Sequence, residues 1–185
     1  NRFYDVSRGS IEINGVDIRK YDLESLRAQI GYVAQKAHMF KGSIQSNICF
    51  GKPEASDEEM HHAARVAQAS DFISKRENGY LDEIAEDGTN ISGGQKQRLS
   101  IARVILKKPS LYIYDDSFSA LDFKTDATLR KALKPEVKDA IFFVVAQRIS
   151  TIMDSDMIIV LDEGQIIGLG THLELLKNCS VYQEI

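Results

Sequence analysis

Two short segments carry residues that could do chemistry. Ser92-Gly93-Gly94-Gln95 opens one segment, and Asp115-Asp116 closes the apolar run Leu111-Tyr112-Ile113-Tyr114. A hydroxyl and two glycines at the start of a helix make an anion socket. Ser92 caps the helix by accepting a bond from an orphan backbone N–H. Gly93 and Gly94 carry no Cβ, so an anion approaches the backbone closely. The remaining N–H groups and the helix dipole favour negative charge there. An apolar strand that ends in a carboxylate makes a metal holder, because ligands of open α/β sheets lie beyond the carboxyl ends of the strands. Mg²⁺ takes one or two carboxylates together with phosphate oxygens and waters, which is the role Asp115 suits. Singly, each segment also describes an ordinary capped helix or a solvated strand end. In this order they point to nucleotide phosphates with Mg²⁺.

The elements that must hold these residues are legible in outline. Leu99, Ala102, Val104 and Ile105 put an apolar stripe on the helix after Gly94, with Lys96, Arg98 and Arg103 elsewhere on its surface and Pro109 as its stop. Residues 111–114 read as a buried parallel strand. Residues 123–133 predict the crossover helix to a second parallel strand at 141–145, a βαβ unit. Residues 10–13 form a strand before the turn signal Asn14-Gly15, and residues 31–34 form a strand leading into Gln35. Helices are expected over 23–29 with Asp22 as cap, over 57–69 with Ser56 as cap, and over 171–177. Residues 161–166 read as a hairpin. The fold class is α/β with a mostly parallel sheet.

With these motifs in place, the chain resembles the nucleotide-binding domain of ATP-binding cassette (ABC) transporters. Ile91-Ser92-Gly93-Gly94-Gln95 looks like the family's signature motif, with Ile for the usual Leu. Residues 111–116 look like the Walker B strand with its following acidic residue, and Ser119-Ala120-Leu121-Asp122 looks like the D-loop. Gln35 looks like the Q-loop glutamine, and Gln147 falls where the family has its switch histidine. The resemblance implies a P-loop NTPase-like core over 1–35 and 109–185, with an inserted helical lobe over 36–108. It implies ATP and Mg²⁺ as cofactors. Asp115 and Gln35 would face Mg²⁺, Asp116 and Gln147 would be the catalytic pair, and Gln35, Ser92, Gly93, Gly94, Gln95 and Asp122 would contact nucleotide. His38-Met39-Phe40-Lys41-Gly42-Ser43-Ile44, Asn47-Ile48 and Glu86-Asp87-Gly88 resemble the exporter branch.

Three departures from the family pattern have consequences. No GxxxxGK[ST] occurs in the 185 residues. In the family that P-loop comes just before the segment matching Asn1 to Asp5. The chain is therefore expected to lack it by truncation, and to bind ATP weakly or not at all as given, since the loop's lysine and N–H cradle anchor the phosphates. Asp116 stands where efficient hydrolysers have Glu. It falls roughly one bond length, about 1.5 Å, short of the attacking water, and a displacement of about 1 Å costs on the order of 100-fold in rate. Gln147 donates a hydrogen bond but carries no proton or charge at this position. The resemblance then implies a heterodimeric exporter: a degenerate site here, and a signature that completes the site of a head-to-tail partner domain. The segment 35–47 is where the family meets its transmembrane domain. Met39, Phe40 and Ile44 are either that docking surface or core of the helical lobe.

Composition excludes other classes. The net charge of −4 offers no footprint for nucleic acid, and 43% hydrophobic content suits a globular core. The apolar runs 141–146 and 157–161 are too short to span a bilayer and no signal peptide opens the chain. Membrane association at the cytoplasmic face is thus expected to come from other domains. Cys49 and Cys179 follow no ligand spacing and read as inert thiols, and His61-His62 point to different helix faces. Two other readings stand beside the exporter ATPase: a nucleotide-binding module that never turns over, and a soluble ABC protein of translation or DNA repair.

Overall fold

A computed structural model describes residues 1–184. In chain order its elements begin with β1 (Glu12–Ile13), β2 (Val16–Asp17), α1 (Leu23–Ala28), β3 (Ile30–Val33), β4 (Gly42–Ser43), α2 (Ile44–Ile48), α3 (Asp57–Val66), α4 (Ser70–Ile73) and β5 (Glu83–Ile84). They continue with α5 (Gly93–Lys107), β6 (Leu111–Asp115), α6 (Phe123–Glu136), β7 (Ile141–Val145), α7 (Ile149–Ile152), β8 (Ile158–Asp162), β9 (Gln165–Gly170), α8 (His172–Asn178) and α9 (Ser180–Glu184). The chain divides into two compact units, 1–143 and 144–185.

In the first unit β3 pairs with β6 in parallel, Ile30 opposite Leu111 and Val33 opposite Tyr114, and the strand order is β3-β6-β7. Tyr112 and Tyr114 are buried on one side of β6, while Leu111 and Ile113 on the other are only partly covered. The expected buried strand is thus buried fully on one face. Tyr114 packs between Phe118 and Phe142, with ring centroids 5.5 and 4.9 Å away. Helix α5 lies against β3, and its Leu99, Ile101, Ala102 and Ile105 are all buried. The contact is close because β3 carries Gly31: a Cβ there would meet Val104 Cγ1 at 2.5 Å and Pro109 Cγ at 2.6 Å.

Local chemistry explains the element ends. Asn14 and Gly15 take φ of 52° and 75°, the left-handed pair that a two-residue hairpin turn requires. Asp22, Ser56, Ser92 and Asp122 each cap the helix that follows. The helix expected over 57–69 stops at Val66, because Gln68 turns left-handed at φ 58° before α4 begins. Lys108, also left-handed at φ 50°, ends α5 ahead of Pro109. Arg98 and Arg103, which lie off the apolar stripe of that helix, are partly covered. Arg98 Nη1 donates to Gln68 O at 2.7 Å, and Arg103 Nε donates to Asn47 O at 2.8 Å.

The second unit is a small layer of its own. β8 and β9 form an antiparallel hairpin whose Ile158 and Val160 pack on Leu175, Cys179 and Tyr182 of the following helices. Among the described residues no helix is long and apolar enough to cross a membrane, and no group of three or more His, Cys, Asp or Glu side chains is placed to hold a metal. His61 packs on Tyr80 and His62 reaches Glu136 at 2.9 Å, each on its own face of α3.

Candidate functional site

The parallel pairing of β3 with β6 brings Gln35 to Asp116. The Gln35 side-chain amide donates to Asp116 Oδ2 at 3.2 Å. Three residues earlier, the Tyr32 hydroxyl donates to Asp115 Oδ2 at 2.9 Å. Burial, and then the Asp115 carboxylate, push the Tyr32 phenol above its ordinary range, so it stays a donor at neutral pH. Asp116 takes φ 43°, a left-handed turn that Asp tolerates better than most residues. Its carbonyl accepts the Ser119 hydroxyl at 2.6 Å and starts the loop 116–122. Asp122 ends that loop as the cap of α6, accepting from Thr125 N at 3.0 Å. The Thr125 hydroxyl first, and the backbone N–H second, hold the Asp122 carboxyl below the usual carboxylate range.

The anion socket forms as its residues dictate. Ser92 and Gln95 make a reciprocal capping box: Gln95 N donates to Ser92 Oγ at 3.3 Å and Ser92 N donates to Gln95 Oε1 at 3.0 Å. Gly93 faces open space, with nothing within 4 Å of where a Cβ would stand, whereas a Cβ on Gly94 would lie 3.3 Å from Ala120 O. The socket and the loop after β6 therefore touch. Gln97, almost fully buried on α5, donates to Ala34 O at 3.1 Å and ties the same helix to the residue before Gln35. Gln147 lies in the second unit, just past the end of β7.

The residues present fit one side of a Mg²⁺-nucleotide site. Asp115 and the Gln35 amide supply hard oxygens of the kind Mg²⁺ takes. Gln35 spends its nitrogen on Asp116, so its oxygen is the end that suits a cation. Open space at Gly93 leaves room for a phosphate at the helix N-terminus.

The two readings of the segment 35–47 divide by residue. Met39 and Ile44 are buried core residues, while Phe40 is 46% exposed and stacks on Phe50, 58% exposed, with centroids 4.2 Å apart. Arg103 stands over both rings, at 5.3 and 5.6 Å, and burial lowers its guanidinium to about 10. Asn47 locks the segment, accepting from Phe40 N at 2.9 Å and donating to Phe40 O at 2.8 Å. Phe50 was not among the residues that the motifs singled out, and Arg103 and Tyr32 were given no part in a site. Aromatic and basic residues separated by long intervals give no local signal.

This is the architecture of an α/β nucleotide-binding domain with a strand-end carboxylate pair and a helix-terminal anion socket. The ABC transporter family model matches residues 1–119, and the chain belongs to that family, with its ABC ATPase fold. Over its full length it is 46% identical to YgaD of Bacillus subtilis (strain 168), named as a putative multidrug export ATP-binding/permease protein. It is 44% identical to a Staphylococcus aureus (strain NCTC 8325) protein of the same naming. The structure of a bacterial Atm1-family ABC exporter with ATP bound matches 99% of the chain at TM-score 0.95 and 39% identity. The chain spans 32% of the length of each of these proteins.

Proposed function

We infer that the chain is the ATP-hydrolysing part of an ABC exporter whose own site is degenerate and whose signature completes the site of a partner domain. Support for the exporter reading comes from the names of its relatives and from the likeness to an ATP-bound exporter. Support for a degenerate site is the pair Asp116 and Gln147 at the two catalytic positions of the resemblance. The observation that carries this reading is the contact of Gln35 with Asp116 beside Asp115, at the positions that the resemblance gives to the hydrolytic side of a nucleotide site. In this reading the core lobe is 1–35 with 109–185, the helical lobe is 36–108, and the exposed Phe40–Phe50 stack meets the membrane-spanning part of the exporter. No GxxxxGK[ST] occurs in the sequence, and in this reading the chain by itself binds ATP weakly or not at all.

Hydrolysis in such a site is in-line attack of water on the γ-phosphate, governed by positioning and charge. Mg²⁺, when bound, neutralises charge that develops on the phosphate oxygens. Asp115 and Gln35 are the residues that would hold it. Asp116 accepts the proton of the attacking water, from a carboxylate set back by one methylene relative to Glu. Gln147, by its place in the resemblance, is the residue that would donate a hydrogen bond to the γ-phosphate. Ser92, Gly93 and Gly94 with Gln95 receive the nucleotide of the opposing domain, and Asp122 shapes the loop between the two sites.

Steady-state ATPase of the full-length protein, alone and with candidate half-transporters, tests this reading. Activity confined to a mixed pair, and a gain in the lone protein on Asp116→Glu with Gln147→His, is the expected result. Strong hydrolysis by the unmodified protein alone overturns the degenerate-site reading. A protein that binds ATP yet stays silent in every pairing, and after both substitutions, favours a non-hydrolytic module.

A further inference from the structure

Tyr32 lies in the strand that leads into Gln35 and has no role of its own in the sequence motifs, yet it is the side chain that bonds Asp115. In the parallel β3–β6 pair Tyr32 lies opposite Ile113. It therefore shares a face of the sheet with Ile113 and, two residues on, with Asp115. The strand rise sets Asp115 about 6.6 Å beyond Ile113. A long side chain that ends in a donor spans such an offset, and the Tyr32 hydroxyl arrives 2.9 Å from Asp115 Oδ2. Phe3 meets the Tyr32 ring edge-on at 6.2 Å, with Arg27 above Phe3, so the ring is packed from the side as well as tethered at its tip.

We propose that Tyr32 is a positioning residue for the cation site, its O–H holding Asp115 Oδ2 so that the carboxylate turns its remaining lone pairs toward Mg²⁺ or its waters. The inference rests on the reading of Asp115 as the metal-facing carboxylate. The chemistry of the donor matters. A carboxylate offers about four acceptor sites, so one phenol bond orients it without exhausting it. A lysine or arginine in the same place would fix the carboxylate too, but would cancel its charge and repel the cation. A neutral phenol fixes the geometry and leaves the charge. Strand β3 and the loop that follows it then set both carboxylates, Asp115 through Tyr32 and Asp116 through Gln35.

The test is Tyr32→Phe in the full-length protein, which keeps the ring and removes one oxygen. Binding of a fluorescent ATP analogue is followed against Mg²⁺ concentration, with Mn²⁺ titrated by electron paramagnetic resonance in the absence of turnover. The half-saturating metal concentration should rise about three- to tenfold, the range that loss of one hydrogen bond of ordinary net strength implies. Analogue binding in EDTA and the thermal midpoint should stay at their unmodified values. Asp115→Asn runs alongside. If Asp115→Asn shifts the metal dependence and Tyr32→Phe leaves it unchanged or tightens it, Tyr32 does not position the carboxylate. If neither shifts it, the assignment of Asp115 falls, and the inference with it. A role in packing alone would lower the thermal midpoint and leave the metal titration where it was.

Discussion

Gly93 and Gly94 look equivalent in the chain but answer to different constraints. Gly94 is small because the loop after β6 lies against it, whereas Gly93 has open space where a Cβ would stand. Alanine is favoured over glycine in helices by roughly 0.5–1 kcal/mol, so folding gives no reason for Gly93. Its smallness then serves whatever approaches the helix end. Gly93→Ala should leave the chain equally stable or up to about 1 kcal/mol more stable in chemical unfolding. The same change should cut hydrolysis at the paired site by on the order of tenfold or more. A loss of stability would mean that Gly93 is structural. Residues such as Ser92 and Ser56 were legible in the sequence because a cap bonds a neighbour three residues away. Tyr32 and Gln97 were not, because their partners lie 83 and 63 residues off in sequence. Only the strand register and the helix packing reveal those pairs.

Helices α1, α3, α5 and α6 start on acidic or hydroxylated caps, and the acidic ones make their ends sensitive to pH. Asp122 at the head of α6 is held below the ordinary carboxylate range by Thr125, and Asp22 at α1 by the Ser25 backbone and side chain. A carboxyl whose value is lowered by folding stabilises the native state above its unfolded value, near 3.9. That contribution is lost as pH falls through the lowered value. Asp122→Asn keeps a capping oxygen without a titrating group. The stability difference between the two proteins should therefore be present at neutral pH and vanish in acid, read from urea unfolding at a series of pH values. A difference that persists unchanged in acid would place the effect in packing. At this scale the α/β pattern, the βαβ unit and the closing hairpin were readable, since periodicity and turn residues are local. The break at Gln68 was not, because a left-handed glutamine leaves no trace in composition. The partial burial of Arg98 and Arg103 was hidden too, because basic residues ordinarily face water and only tertiary carbonyls bring them in.

At the scale of the molecule, α5 is the element that reaches most of the functional pieces of the first unit. It carries the socket at its first turn, ties to Ala34 through Gln97, and holds the Phe40–Phe50 stack through Arg103. If that stack is the docking surface, Phe50→Ala should separate two properties of the full-length exporter. The thermal midpoint should move little, since the ring is more than half exposed and stacking is worth about 0.5–1.5 kcal/mol. Substrate translocated per ATP consumed should fall. Unchanged coupling would move the docking surface elsewhere. The helix also acts as a ruler. From Ser92 to Arg103 the chain makes about three turns, so the cap and the guanidinium stand on the same side. One inserted residue would swing every later side chain by about 100° and carry Arg103 away from Asn47, while the socket stayed intact. Lengthening is thus tolerable in the surface loops and forbidden in this interval, where the count of residues, more than their identity, keeps two distant surfaces in phase.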